Sequence, residues 1–129
     1  MAYDWGPRGA PIEWRWDATR GAWLRWQAGT PQVDTDGVQL SAENLVVQRV
    51  PYVDTGVRDV AGTPVPEAQL VGSGEATVLV GGQAVPATWR KPDEAAATAF
   101  VGATGRPVAF ARGRTTVVLL PDGAEPRIT

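Results

Sequence analysis

The chain has 129 residues, a formal net charge of −2, and neither cysteine nor histidine. This length predicts one domain, and the near-neutral charge argues against nucleic acid or an anionic membrane surface as a partner, because both require a basic surface. Without cysteine and histidine there are no disulfides or thiol nucleophiles, and the commonest general base and metal ligand are missing, so we expect no metal, no cofactor and no catalysis.

The N-terminal residues 1–11 are rich in glycine, proline and charge, which predicts an arm or linker ahead of the domain. They lack the apolar core of a signal peptide. The chain also contains no run of about 18 apolar residues that would predict a transmembrane helix. These observations favour a cytosolic protein or one part of a longer polypeptide.

Residues 12–27 carry four of the six tryptophans. Apolar and polar residues alternate on both sides of a turn at 17–21, and this period of two predicts a β-hairpin. The remaining segments up to residue 66 are expected to be a tight turn at 34–37, one helical turn at 41–44, a central strand at 45–50 and a long surface loop at 52–66.

The second half of the chain contains short apolar segments separated by turn residues. It predicts strands at 67–71, 75–80, 83–90, 98–101, 106–110 and 115–120. Gly72-Ser73-Gly74 is expected to break or bulge a strand, and Gly81-Gly82 to form a two-residue hairpin turn. Pro86 indicates an edge strand or a bulge, and a short helix is considered at 94–97.

The 15 glycines and 11 prolines disfavour long helices and favour short strands joined by turns. Eight or nine such strands predict an all-β fold, a mostly antiparallel sandwich or partly open barrel. The predicted domain spans 12–121, between the arm at 1–11 and a tail at 122–129.

Tryptophan and arginine supply the candidate binding residues. The expected register places Trp23, Arg25 and Arg15 on one face of the hairpin, and Trp14 and Trp16 on the other face. An exposed tryptophan beside arginine could then stack on a sugar ring. The other interpretation is that these tryptophans form the core and that arginine stems cover them, which the usual burial of tryptophan favours. The candidate ligand-binding residues are Arg15, Trp23, Arg25 and Trp89.

The acidic residues and serines give weaker signals. Asp34 and Asp36, with Asp54 and Asp59, suggest either a weak cation site or ordinary turns, and turns are favoured because the third ligand and distal glutamate of a calcium loop are missing. Two carboxylates suffice for a glycosidase, but solvent-facing strand positions explain the available residues better; these are Glu13, Asp17, Glu43, Glu67 and Glu75. Neither Ser41 nor Ser73 lies in a nucleophile motif.

The motifs WRWDATRGAWLRW, DTDG, SAENLVVQRVPY, QLVGSGEATVLVGGQAVPATWRKP and GRPVAFARGRTTVVLLP occur in this order between Glu13 and Pro121. In this order they resemble the C-terminal domain of the YerB-type bacterial lipoproteins, a domain of unknown function. The shared features include the hairpin with Arg25, the strand led by Asn44 and the Gly113-Arg114-Thr115 strand start.

The resemblance implies a second domain of an extracytoplasmic, lipid-anchored parent protein in the cell envelope. On this basis we expect a non-catalytic binding or structural module whose partner is its own N-terminal domain or another envelope protein. The resemblance implies membrane association only through a lipid anchor outside this chain. The alternative is a domain that binds or processes peptidoglycan or another polysaccharide through the tryptophan and arginine hairpin.

Overall fold

The computed structural model describes residues 2–3 and 11–123. Within them lie twelve strands, which form two five-stranded sheets and a two-stranded ribbon. The result is an all-β, sandwich-like fold with mostly antiparallel pairing, and it is not closed into a barrel. The strand number exceeds eight or nine because five strands have only two residues each. No helix in the described part of the chain is long and apolar enough to cross a membrane.

The first sheet is built around the tryptophan hairpin, and we call it the hairpin sheet. Its strands are β1 (Ala2–Tyr3), β2 (Ile12–Asp17), β3 (Ala22–Gln27), β4 (Thr30–Pro31) and β5 (Ser41–Ala42). The predicted hairpin is confirmed. Its turn is closed by Asp17, whose Oδ1 accepts the N–H groups of Thr19 and Arg20 at 2.9 and 3.1 Å. Of the predicted arm, Ala2 and Tyr3 form β1, whereas residues 4–10 and most of the tail lie outside the described residues.

The predicted register of the hairpin was wrong. Trp16 pairs with Trp23 and Trp14 pairs with Arg25, so these four side chains share one face. Of the five residues in the prediction, only Arg15 lies on the other face, where it pairs with Leu24. The physical reason is the four-residue turn at 18–21, which places each odd-numbered residue of one strand opposite an even-numbered residue of the other.

The second sheet, which we call the main sheet, contains the longest strands. In spatial order they are β11 (Ala99–Gly102), β10 (Gln83–Lys91), β9 (Gly72–Val80), β6 (Asn44–Val50) and β12 (Thr115–Pro121). β6 was predicted as the central strand, and this is confirmed, because it pairs with β9 on one side and with β12 on the other. All residues of β6 are buried except Arg49.

The turn predicted at Gly81-Gly82 is confirmed, with φ of 59° and 77° at the two glycines. The edge strand or bulge predicted from Pro86 was wrong, because β10 lies between β9 and β11 and its register with β9 is continuous. Proline is tolerated at this position because β11 pairs with β10 only from Ala87 onward, so no partner needs the missing N–H on that side. An unexpected feature is the parallel pairing of β12 with β6 over seven residues, from Thr115 opposite Asn44 to Pro121 opposite Val50.

Both predicted helical turns were wrong. Ser41–Ala42 forms β5 and pairs with β3, because burial of Ala42 between the sheets outweighs the local preference of Ser41 for a helix cap. Residues 93–96 form a turn in which Asp93 Oδ1 accepts the N–H groups of Ala95 and Ala96, each at 2.9 Å.

Two strand predictions also need correction. Gly72 to Gly74 continue β9 without a break, and Gly74 provides the space that the indole of Trp89 occupies. The segment 106–110 makes only an isolated bridge, between Pro107 and Val101.

The core consists of two clusters on the two faces of the main sheet. The first lies against the hairpin sheet and contains Trp14, Trp23, Ala42, Leu45, Val47, Leu79, Val118 and Leu120. The second lies on the far face and contains Val46, Val50, Ala76, Val78 and Trp89, with Tyr52, Ala68, Phe100 and Val108 among the partly buried residues packed on it. Alternate residues of β6 therefore supply both clusters.

The ribbon is formed by β7 (Tyr52–Val53) and β8 (Glu67–Ala68). Tyr52 and Ala68 pack on the second cluster, whereas every residue from 54 to 66 is exposed. We call residues 52–71 the arm; this segment is distinct from the N-terminal segment 1–11. The surface position predicted for 52–66 is confirmed except at half-buried Tyr52.

Candidate binding surface

The tryptophans predicted as candidate ligand-binding residues are not accessible. Trp23 is 5% exposed in the first cluster, with its ring centroid 5.3 Å from that of Trp16. Trp89 is 1% exposed, and its Nε1 donates a hydrogen bond to the carbonyl of Arg49 at 2.8 Å. The exposure that sugar stacking requires is therefore absent at both residues, and the core interpretation is the one that fits.

Arg15 lies on the outer face of the hairpin sheet. Its Cζ is 4.0 Å from the ring centroid of Trp26, and its Nη2 is 2.6 Å from a carboxylate oxygen of Glu13. The guanidinium therefore covers the ring and is held there by an ion pair. This matches the interpretation in which arginine covers tryptophan.

Arg25 is half-buried on the inner face, with its Cζ 5.7 Å from the ring centroid of Trp14. Its Nε is buried and has no hydrogen-bond partner among the described residues. A buried donor without a hydrogen-bond partner is energetically costly and is an exception in folded proteins. Of the predicted residues, the structure places Trp23 and Arg25 on one face, Arg15 on the other, and Trp89 in the second cluster.

A groove of about 420 Å³ lies where the hairpin sheet meets the outer strand of the main sheet. Ile12, Trp14 and Arg25 line one wall, Tyr52 contributes to the lining, and residues 116–119 of β12 run along the groove. We call it the β12 groove. Burial raises the pKa of the Tyr52 hydroxyl above its ordinary value.

Sequence reasoning identified Arg25 in this groove but missed the rest of it. The available signal was the uncharged segment TTVVLL, whose residues were predicted only as the last strand of the fold. Strand propensity could not show that this strand lies at the edge of a sheet and beside the hairpin.

The aspartates considered as a cation site act within turns. Asp34 Oδ1 accepts the N–H groups of Asp36 and Val38 at 2.8 and 3.0 Å. The side chain of Arg58 and then the N–H of Gly56, both bonded to Asp54 at 2.9 Å, lower the pKa of Asp54. The described residues include no cluster of three or more metal-ligating side chains.

The carboxylates considered for glycoside hydrolysis have other partners where contacts are resolved. Glu13 is paired with Arg15, and Asp17 closes the hairpin turn. Glu43 accepts the N–H of Arg114 at 2.6 Å, and this hydrogen bond is the main cause of its lowered pKa. A general acid needs a raised pKa, so Glu43 does not have the property that this role requires.

The arm carries an unusual share of exposed apolar side chains. Six of the ten large exposed hydrophobic residues in the described part of the chain lie on it, namely Val53, Val57, Val60, Val65, Leu70 and Val71. Its outer part is shaped by backbone hydrogen bonds between Asp59 and Thr63 and between Val57 and Val65, each 3.0 Å long. The arm is therefore a shaped apolar projection rather than an irregular loop.

These features define a class of protein: an all-β sandwich domain with a groove beside its outer strand and an apolar arm. Residues 1–117 match the family model described as "Protein of unknown function (DUF3048) C-terminal domain", so the chain belongs to this family. No curated protein matches the chain in sequence.

The chain is also similar in structure to the YerB protein from Bacillus subtilis, with a TM-score of 0.78 at 18% sequence identity. The match covers 94% of this chain and 40% of the YerB chain, so this chain spans less than half the length of that protein. The two comparisons confirm the resemblance to the YerB-type C-terminal domain.

Proposed function

We propose that this domain is a non-catalytic binding or structural module of a bacterial cell-envelope lipoprotein, and that its arm packs on the protein's own N-terminal domain. An envelope protein of another kind is the alternative partner. The observation that supports the proposal is the concentration of exposed apolar side chains on residues 53–71. Contiguous apolar surface is uncommon on a monomer and marks interaction sites.

The arm is suited to binding because its shape is largely fixed before a partner arrives. The bond from Arg58 to Asp54 holds its base, and Asp59 Oδ1 accepts the N–H groups of Ala61 and Thr63 at its tip, each at 2.9 Å. A preformed surface loses less conformational entropy on binding than a flexible loop. Val60, fully exposed at the tip, would then enter a partner with little rearrangement.

The choice of an N-terminal domain as partner rests on the relatives. The family is described as a C-terminal domain, and the YerB chain is more than twice as long as the segment that this chain covers. The YerB chain therefore has residues outside the matched segment, and we infer that a corresponding N-terminal domain covers the arm in this protein. The extracytoplasmic location and the lipid anchor of the parent protein are part of the same proposal and rest on the resemblance alone.

The test is site-specific photocrosslinking in the native bacterium. A photoreactive residue replaces Val60, and the matched control replaces Val38, which is similarly apolar and exposed but lies outside the arm. We expect the Val60 position to crosslink to N-terminal residues of the same polypeptide, identified by mass spectrometry, in the membrane fraction. Equal crosslinking at both positions, or none at Val60, would contradict the proposal.

Glycan binding or processing is the competing proposal, and the burial of Trp23 and Trp89 weakens it. It retains Arg15 and Arg25 as candidate contacts. Titration of the chain with millimolar peptidoglycan fragments, followed by tryptophan fluorescence, tests it directly. A saturable shift that disappears in R25Q would favour glycan binding over the arm proposal.

A further inference from the structure

The outer edge of β12 has no neighbour among the described strands. Such an edge presents unpaired N–H and C=O groups, and proteins usually protect it with charged residues, proline, bulges or a very short strand. β12 has seven residues, carries no charge, and contains proline only at its last position. Within residues 11–123, it is therefore a long edge without these protective features.

The opposite edge of the main sheet differs. β11 has four residues, and the segment that follows folds back over it through the bridge between Val101 and Pro107. The bridge consists of two hydrogen bonds, from the N–H of Val108 to the carbonyl of Phe100 at 3.0 Å and from the N–H of Gly102 to the carbonyl of Arg106 at 2.8 Å. Among the described residues, the two edges of the main sheet therefore differ, and only the β12 edge lacks a covering segment.

Two hydrogen bonds fix which backbone groups point outward. Asn44 N–H donates to the carbonyl of Arg114 at 3.0 Å, and Asp122 N–H donates to the carbonyl of Val50 at 3.2 Å. In a parallel pair, alternate residues face the neighbouring strand, so the even-numbered residues of β12 face β6. The N–H and C=O groups of Thr115, Val117 and Leu119 therefore point to the open edge.

The β12 groove runs beside these outward-facing groups. It is lined by side chains from both faces of β12, together with Ile12 and Trp14 from the hairpin sheet. Arg25 is among the lining residues, and its guanidinium supplies a positive charge there. A carboxylate is the acceptor that best complements such a guanidinium.

We propose that the β12 groove binds an extended peptide segment of a partner protein, which adds a strand to β12 and places an acidic side chain against Arg25. Backbone hydrogen bonds to Val117 and Leu119 would give affinity, and Arg25 would select for the carboxylate. This site uses other residues than the exposed apolar side chains of the arm, so it can be tested independently of the proposed function.

The probe is the synthetic heptapeptide amide TVTETVT with a fluorescent label on its N-terminal amine, and the control probe has glutamine in place of glutamate. Fluorescence anisotropy with the full 129-residue chain measures binding, and amide exchange by NMR measures protection at Val117 and Leu119. We expect saturable binding with protection of both amides. The glutamine peptide should bind at least about tenfold more weakly, because a charge-assisted hydrogen bond is lost.

Two pairs of variants separate strand addition from charge recognition. V117P removes an outward-facing N–H without removing a hydrogen bond to β6, whereas V117T keeps this N–H. We therefore expect V117P to lose binding of both peptides and V117T to keep it. R25Q should abolish the difference between the glutamate and glutamine peptides. The control R20Q removes one positive charge in the exposed hairpin turn and should preserve that difference. Circular dichroism verifies that each variant is folded.

Three results would overturn the inference. The first is no binding of either peptide at millimolar concentration. The second is binding that V117P leaves unchanged. The third is protection of the Val117 and Leu119 amides from exchange in the peptide-free chain, because the edge would then already be occupied. If this protection increases with chain concentration, the occupant is a second copy of the chain.

Discussion

Gly74 and Trp89 are directly opposite each other on β9 and β10, and this pair shows how one residue can determine a local fold. A Cβ atom at Gly74 would lie 2.6 Å from Trp89 Nε1 and 3.1 Å from the carbonyl oxygen of Arg49, the two atoms that form the indole hydrogen bond. Glycine therefore has a packing role here rather than a turn role. Its φ is not positive, so conformational strain is not the reason for it.

We predict that G74A destabilises the domain by about 2 kcal/mol, because the added methyl group overpacks the second cluster and displaces the indole. Urea unfolding measures the free energy. The matched control is G102A, also a strand glycine without a positive φ, where a Cβ atom would meet its nearest neighbour at 3.6 Å. The free energy of unfolding of G102A should stay within about 0.5 kcal/mol of the original, and equal effects of the two changes would contradict the packing argument.

Glu43 links the start of β6 to the segment before β12. The hydrogen bond from the N–H of Arg114 lowers the pKa of Glu43 below its ordinary value of 4.5. Its carboxylate also lies over Gly113, where a side chain would collide with it. The contact joins two segments that are 71 residues apart in the chain.

The lowered pKa of Glu43 gives a pH dependence of stability. The folded state binds this proton more weakly than the unfolded chain, so the contribution is present above about pH 4.5 and is lost as the pH falls through the folded pKa. We predict that the free energy of unfolding falls less steeply with acid in E43Q than in the original chain. Urea titrations between about pH 3 and pH 6 test this, with E67Q on β8 as the control for removing a carboxylate. Identical acid slopes for E43Q and the original chain would disprove the link.

At the scale of elements, the arm combines a packed base with an exposed outer part. Tyr52 and Ala68 contact the second cluster, whereas residues 54–66 are exposed throughout. The outer part therefore buries little apolar surface and contributes little to the stability of the domain. Its exposed valines are better explained by a partner than by the fold.

We predict that replacing residues 54–66 by Asn-Gly leaves the domain folded. Val53 and Glu67 are paired across β7 and β8, so a two-residue turn can join them directly. The free energy of unfolding should fall by no more than about 1 kcal/mol. The entropic cost of closing the loop is lower for the shorter loop, and this gain offsets the contacts that residues 54–66 lose. Thermal unfolding followed by circular dichroism measures this, and loss of the cooperative transition would show that the arm is part of the core.

The elements also show where sequence reasoning succeeded and failed. The hairpin at 12–27 and the turn at Gly81-Gly82 were predictable because alternation and paired glycines act locally. The hairpin faces were not, since they depend on the number of residues in the turn at 18–21. Ser41 was misassigned because its pairing with β3 is a tertiary interaction that overrides local propensity.

At the scale of the whole molecule, β6 contributes side chains to both clusters of the core. Leu45 and Val47 pack towards the hairpin sheet, and Val46 and Val50 pack towards the arm and β11. A strand that is buried on both faces has no solvent-facing side, which explains the consecutive apolar residues 45–47 at its start. The same strand organises both binding surfaces, since the arm follows it in sequence and β12 lies beside it.

The sequence by itself determined the all-β class, the presence of a buried strand at 45–50, most of the turns and the family of the domain, because alternation, β-branched residues and glycine turns are local signals. Only the tertiary structure decided that Trp23 and Trp89 are core, that β12 runs parallel to β6, and that Arg25 faces an open groove. These features depend on contacts between residues far apart in the chain, such as Asn44 with Ala111 and Thr115. The physical reason is that the position of a strand within a sheet is set by which surfaces become buried together, and no local pattern contains that information.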